Sequence, residues 1–234
     1  MTRQRSGTFS ASLRAHGVKG IVIGDVTEEW YLYSIAHPIS SPKDILPNLN
    51  RYFPDVVSRK LFDKIKRSAR FKDREGSVAE RLFGEVLSTG QVYLPGRILA
   101  RDLLASGFPV LRYEIRWTPE EVRPLGKIVF VVSSDLKLNF SNNSGYVTHG
   151  TDRCLWALRK PDLNPKQWEV ANQWVDVVQQ ELNKVLEAGN SHTFNQVLTL
   201  REDQTISWTI DRLWGELMDL VNILPGEWKA TSSL

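Results

Sequence analysis

Cysteine is almost missing. Cys154 is the single one among 234 residues, so the chain cannot close a disulfide within itself, which leans toward an intracellular setting. No stretch approaches the roughly 18 continuous apolar residues that a membrane-spanning helix needs, and none is expected to span a membrane. The opening residues, Met1-Thr-Arg-Gln-Arg-Ser-Gly-Thr8, hold no apolar signal core. Zinc-type Cys/His spacings are lacking and the four histidines are scattered, so no metal and no cofactor is expected. Excess charge of one sign is lacking too. A formal net charge of +3 is too small to argue for a nucleic-acid partner. Basic side chains do gather at Lys60, Lys64, Lys66, Arg67, Arg70, Lys72 and Arg74. They read as a solvated helix face, with a patch for an anionic partner as the alternative. There is no internal repeat and no low-complexity segment.

What is present is an ordinary globular balance of 41% hydrophobic and 24% charged residues, with eight tryptophans that imply a large aromatic surface, buried or facing a ligand. Val18–Val26 is a short β-branched run of the kind buried on both faces of a parallel sheet. Pro38, Pro42, Pro47 and Pro54 then punctuate a loop-rich stretch. Helices are expected from about Asp55 to Arg70, with Val57, Leu61 and Ile65 on one face, and from about Val78 to Leu87. Gly96–Gly107 reads as a third helix, with Gly107 suited to the position after its end. Pro109–Trp117 alternates Val110, Arg112, Glu114 and Arg116 against Leu111, Tyr113, Ile115 and Trp117, a strand with one buried face. The longest helix signal runs from Pro165 to Glu187, with Asn164 as N-cap, Pro165 in the first turn and Gly189 beyond the end. Gln196–Leu200 reads as a last strand and Asp211–Val221 as a last helix. Helix and strand alternate, so the fold class is α/β with a mostly parallel sheet.

Two loops carry ionisable groups beside expected strands: Gly24-Asp-Val-Thr-Glu-Glu-Trp-Tyr-Leu-Tyr33 and Tyr146-Val-Thr-His-Gly-Thr-Asp152. In these two segments the chain resembles the type B carboxylesterases. That family carries its triad acid in a Gly-x-x-x-Asp-Glu-Gly loop and its triad histidine in a later His-Gly loop. Gly24 and Glu29 match the first pattern, with Glu28 at the Asp position and Trp30 departing from the usual Gly. His149-Gly150 matches the second. Leu94–Tyr113 resembles the helix and strand between them: a Pro, an apolar helix, a Gly, Pro-Val and a Tyr-bearing strand. The likeness runs from about Lys19 to Leu158 and weakens beyond. It implies a partial α/β-hydrolase fold, with residues 1–234 as the C-terminal portion of such a domain. It also implies a serine carboxylesterase in which His149 is the general base and Glu29 orients it.

The chain order in this class is Ser, then Asp or Glu, then His, so the nucleophile belongs before Glu29 on a Gly-x-Ser-x-Gly elbow. That pattern occurs nowhere in the sequence, and the glycine-rich oxyanion loop is missing as well. The expected partner is therefore a small-molecule ester, given an N-terminal half that completes the site. Without that half, Val18–Val26 would leave a strand edge open to self-association. A catalytically inactive remnant that binds or regulates is the alternative. A third reading uses Glu28 and Glu29 as an acid–base pair in an unrelated enzyme, but no partner carboxylate is placed for them. Glu28 reads as a solvated loop carboxylate and Asp25 as a turn former. Trp30 either lines an acyl pocket or packs. His16, His37 and His192 read as structural or exposed.

Lys127–Gly145 interrupts the resemblance. Without it the chain reads Arg-Pro-Leu-Gly-Tyr-Val-Thr-His-Gly. The Gly-Lys and Ser-Gly junctions can encode splice donor and acceptor dinucleotides, so a retained intron is one reading and an inserted hairpin strand the other. Sequencing a cDNA across codons 126–146 separates them: a spliced product lacking these codons identifies the intron, and an unspliced sole transcript identifies the insertion.

Overall fold

The structure is a computed structural model that describes residues 8–68, 78–123 and 145–223. All of the interrupting segment except Gly145 lies outside the described residues, as do Arg70, Lys72 and Arg74. The chain runs through α1 (Thr8–Ala15), β1 (Ile21–Val26), α2 (Trp30–Ala36), α3 (Ile45–Leu49), α4 (Asp55–Arg67) and α5 (Val78–Ser88). A π-helical stretch (Thr89–Tyr93) leads into α6 (Leu94–Ala105), followed by β2 (Val110–Ile115), α7 (Arg153–Trp156), α8 (Pro165–Ala188), β3 (Gln196–Leu200), β4 (Ile206–Ile210) and α9 (Trp214–Met218). The strands form one sheet in the order β1-β2-β3-β4. β1, β2 and β3 are parallel and β4 returns antiparallel to β3. The fold class is therefore α/β with a mostly parallel sheet, consistent with part of an α/β-hydrolase fold. No helix among the described residues is long and apolar enough to cross a membrane.

The register sorts side chains onto two faces, because successive residues of a strand point to opposite sides. Val22, Gly24 and Val26 lie beside Leu111, Tyr113 and Ile115, and Leu198 and Leu200 continue the row. This apolar face packs against α8 through Ala171, Trp174 and Val178. Gly24 belongs here for a steric reason: a Cβ on it would come within 2.5 Å of the Tyr113 ring. The edges of Tyr113, Trp156 and Trp174 pack at 5.0–6.0 Å between ring centres, which accounts for part of the aromatic surplus.

The opposite face differs from the sequence expectation. Alternation in Pro109–Trp117 suggested one buried side, yet Arg112 and Glu114 are both buried. The reason is a second layer, α6, whose Arg97 neutralises what the sheet presents. Arg97 pairs with Asp25 at 2.6 Å and with Asp211 at 2.8 Å, and Arg112 pairs with the same Asp211. Glu114 pairs with Arg116 at 2.7 Å. An alternating pattern marks a solvated face only when nothing covers its charges. Burial opposes the charge on Asp211, but Arg97 and Arg112 outweigh it and hold this carboxyl below its usual range.

Other elements follow the sequence to within a few residues. β3 occupies the expected Gln196–Leu200, and α8 starts and stops on its own signals. The Asn164 side chain accepts from the Gln167 amide while the Gln167 side chain accepts from the Asn164 amide, and Gly189 follows the end at φ 80°. Gly107 also takes a positive φ, 66°. α4 ends at Arg67, a little short of expectation. β4 went unexpected, although Ile206-Ser-Trp-Thr-Ile210 alternates cleanly. The last helix shortens to Trp214–Met218 because Asp211 is held by the arginines. β1 is shorter than Val18–Val26. It lies at the sheet edge, with Ile21, Val22 and Ile23 only half-buried, in keeping with the open strand edge expected from the sequence.

Asp211→Ala should destabilise the fold by about 3–5 kcal/mol, since it leaves two buried guanidinium groups facing one remaining carboxylate. Urea unfolding measures this. A loss within about 0.5 kcal/mol, the range of an ordinary surface substitution, would show that the network does not hold the sheet to α6.

Candidate active site

Residues 27–29 link β1 to α2 beyond the carboxyl end of the strand, where open α/β sheets place functional loops. The Thr27 amide donates to the Ile115 carbonyl at 3.2 Å, hooking the loop onto the end of β2. Glu28 then ties it to the chain arriving at His149. Its amide donates to the Val147 carbonyl at 2.9 Å, and its carboxylate accepts from the Val147 amide at 2.8 Å. This pair of bonds is the length of a β-bridge, with a side chain as one arm. Glu28 is therefore not the solvated loop carboxylate expected from the sequence.

Beyond Val147, residues 148–151 form a closed turn: the Thr151 amide donates to the Thr148 carbonyl at 3.0 Å. Gly150 occupies its third position with φ 81°, a conformation that disfavours any residue with a Cβ. The turn aims the His149 ring back at the first loop. His149 Nδ1 lies 3.0 Å from Glu29 Oε2 across 120 positions of sequence. An ionised carboxylate only accepts, so Nδ1 carries the proton in that pairing, and Nε2 is left as the lone-pair nitrogen. Nε2 has no hydrogen-bond partner among the described residues, and the side chain is 58% exposed. The Glu29 side chain is 5% exposed. The site thus pairs a buried carboxyl with an accessible imidazole.

Burial pushes the Glu29 carboxyl up from 4.5 to about 7, while the His149 imidazole pulls it the other way. Glu29 Oε1 lies 3.5 Å from the Val26 amide, and the two residues after Glu29 are aromatic. Trp30 and Tyr31 both touch Tyr146, at 5.0 and 4.7 Å between ring centres. The Arg81 guanidinium covers the Trp30 ring at 3.5 Å. Of the two roles open to Trp30 from sequence, packing is the one observed. α5 reaches this region because Gly84 has no Cβ, which would come 2.4 Å from the Trp30 carbonyl oxygen.

No family profile matches the chain. Part of it is similar to a fission yeast protein, an uncharacterized esterase/lipase of Schizosaccharomyces pombe. The two are 31% identical over 114 residues, which is 47% of this chain and 21% of that protein. The chain therefore spans about a fifth of the length of this relative.

The remaining sequence candidates lie elsewhere or act differently. Asp25 is no turn former: it sits on β1 and faces Arg97. His16 is exposed and contacts the carbonyl of Ser12 at 2.8 Å. His37 meets the Tyr52 hydroxyl at 2.8 Å, and His192 stacks on Trp208 with 3.6 Å between ring centres. Among the described residues no group of three or more His, Cys, Asp or Glu could hold a metal ion. Two neighbours of the site escaped the sequence reading. One is Tyr146, which was visible beside His149. The other is Tyr93, which no local signal marks.

A carboxyl whose native pKa exceeds its unfolded one binds more protons folded than unfolded in between. The Glu29 contribution to stability is thus complete below about 4.5 and is lost as pH rises toward about 7. Over that window the parent should lose stability relative to Glu29→Gln, whose amide does not titrate. Urea unfolding at a series of pH values checks this, and parallel curves would mean that the carboxyl is not desolvated.

Proposed function

We propose that Glu29 and His149 are the acid and base of a Ser-Glu-His triad that hydrolyses carboxylic esters. On this reading the chain is the C-terminal portion of a type B carboxylesterase domain, and the serine elbow and oxyanion donors come from residues outside this sequence. The observation that carries it is the 3.0 Å contact between a buried carboxylate and the inner nitrogen of an accessible imidazole. The partial similarity to an esterase/lipase points the same way.

The chemistry follows from the protonation pattern. A serine hydroxyl attacks the ester carbonyl as His149 Nε2 takes its proton, forming the tetrahedral oxyanion and an imidazolium. The carboxylate of Glu29 stabilises that cation through Nδ1–H and keeps the ring in the required tautomer. The imidazolium returns the proton to the departing alkoxide, leaving an acyl-serine. Water repeats the sequence on the acyl group and releases the acid. Because Glu29 is buried, little water competes for Nδ1–H. The absence of a Gly-x-Ser-x-Gly pattern from the sequence favours, as a second reading, an inactive remnant that binds or regulates.

Expressed alone, the chain should not turn over a p-nitrophenyl ester. Co-expressed with the N-terminal half of a type B carboxylesterase, it should give turnover blocked by a serine-directed phosphonate. His149→Ala or Glu29→Gln should then lower kcat about a thousandfold or more. Restored turnover indifferent to both substitutions would remove the triad assignment. Phosphonate-sensitive turnover by the chain alone would instead give the nucleophile to one of its own serines.

A further inference from the structure

We infer that Tyr93 is a positioning residue for the Glu29–His149 pair: its buried hydroxyl clamps the loop that carries Glu29 and so holds the carboxylate on the imidazole. This inference rests on the proposed triad.

The hydroxyl meets three backbone groups of that one loop. It accepts from the Glu29 amide at 3.1 Å, and its single proton is shared between the carbonyls of Val26 at 3.1 Å and Thr27 at 3.0 Å. Glu29 precedes the first residue of α2, so its amide has no partner within the helix. Without Tyr93 that buried amide would lose its acceptor, and the loop would gain freedom to turn Glu29 away. The hydroxyl spans the loop from the last residue of β1 to the acid itself, so the carboxylate position depends on it.

Tyr93 is itself held from behind. It is 2% exposed, and its carbonyl accepts from Arg97 at 3.1 Å. Arg97 is in turn fixed by Asp25 and Asp211. The clamp is therefore continuous with the buried ion network and is not a swinging side chain. Burial keeps the phenol well above its ordinary range, which favours the neutral hydroxyl. Tyr93 also closes the π-helical stretch between α5 and α6, the wide turn that joins the two helices just before Pro95. Such stretches are rare and recur at functional sites.

A purely structural hydroxyl would cost stability on removal and leave the His149 proton alone. The test reads that proton. In the soluble form of the protein, the chain alone or its reconstituted complex, the His149 Nδ1–H should give a downfield, slowly exchanging proton NMR signal. In Tyr93→Phe the signal should disappear or exchange at least tenfold faster while the amide spectrum stays folded. In the reconstituted enzyme kcat should fall with KM unchanged. Thr199→Val is the control. It removes another buried hydroxyl contact, Thr199–Thr209 at 2.6 Å, and should leave the signal intact. If Tyr93→Phe does not fold, 3,5-difluorotyrosine at position 93 keeps the shape and makes the hydroxyl a weaker acceptor. It should hasten exchange, though by less. An unchanged signal in whichever Tyr93 variant folds overturns the clamp and leaves the triad standing. A parent without the signal overturns both.

Discussion

Two arginines and two aspartates lie between the sheet and α6 with little access to water. Arg97 spans Asp25 on β1 and Asp211 after β4, and Arg112 on β2 shares Asp211. Removed from water, each charge would be costly alone; their mutual compensation is what lets a charged sheet face be covered. The constraint is geometric as well as energetic. A guanidinium presents a fixed planar fork, so Arg97 sets how far α6 stands from β1 and where the chain leaves β4. Everything at the carboxyl end of β1 is placed relative to that fork.

The candidate site follows from this frame. Tyr93 lies one helical turn before Arg97 and passes the frame on to the acid loop. Glu28 and Val147 then stitch that loop to the histidine turn. Adjacent glutamates have separate tasks. Glu28 spends its carboxylate on a backbone amide, while the buried Glu29 carboxylate meets His149 and, at 3.5 Å, the Val26 amide. Burial raises its pKa to about 7, against the opposing pull of His149. The same burial that weakens the acid makes its contact with His149 hard for water to disrupt.

Local chemistry wrote several parts of the fold into the sequence. The ends of α8 were legible because capping depends on residues three or four positions apart. β3 was legible because its apolar run is bounded by polar turns. Gly150 beside His149 marked a tight turn. The covered polar face of β2 was not legible, because Arg112 and Glu114 look the same whether water or a counter-charge neutralises them. β4 was missed where the alternation was present but short, beside an exposed turn carrying Glu202, Asp203 and Gln204. Asp25 looked like a turn residue because its partner, Arg97, is 72 positions away.

The sequence by itself marked the longer helices, two of the strands, the order of Glu29 and His149, and a turn that only glycine closes comfortably. Likeness to an esterase family favoured Glu29, but two neighbouring glutamates carry the same group and the same local propensity. Tertiary structure gives them different partners. Glu28 reaches an amide 119 positions on and Glu29 an imidazole 120 positions on. The loop that makes this difference starts where β1 ends in register with β2 and is held by the Tyr93 hydroxyl. Long-range packing carries this information, and no window of neighbouring residues contains it.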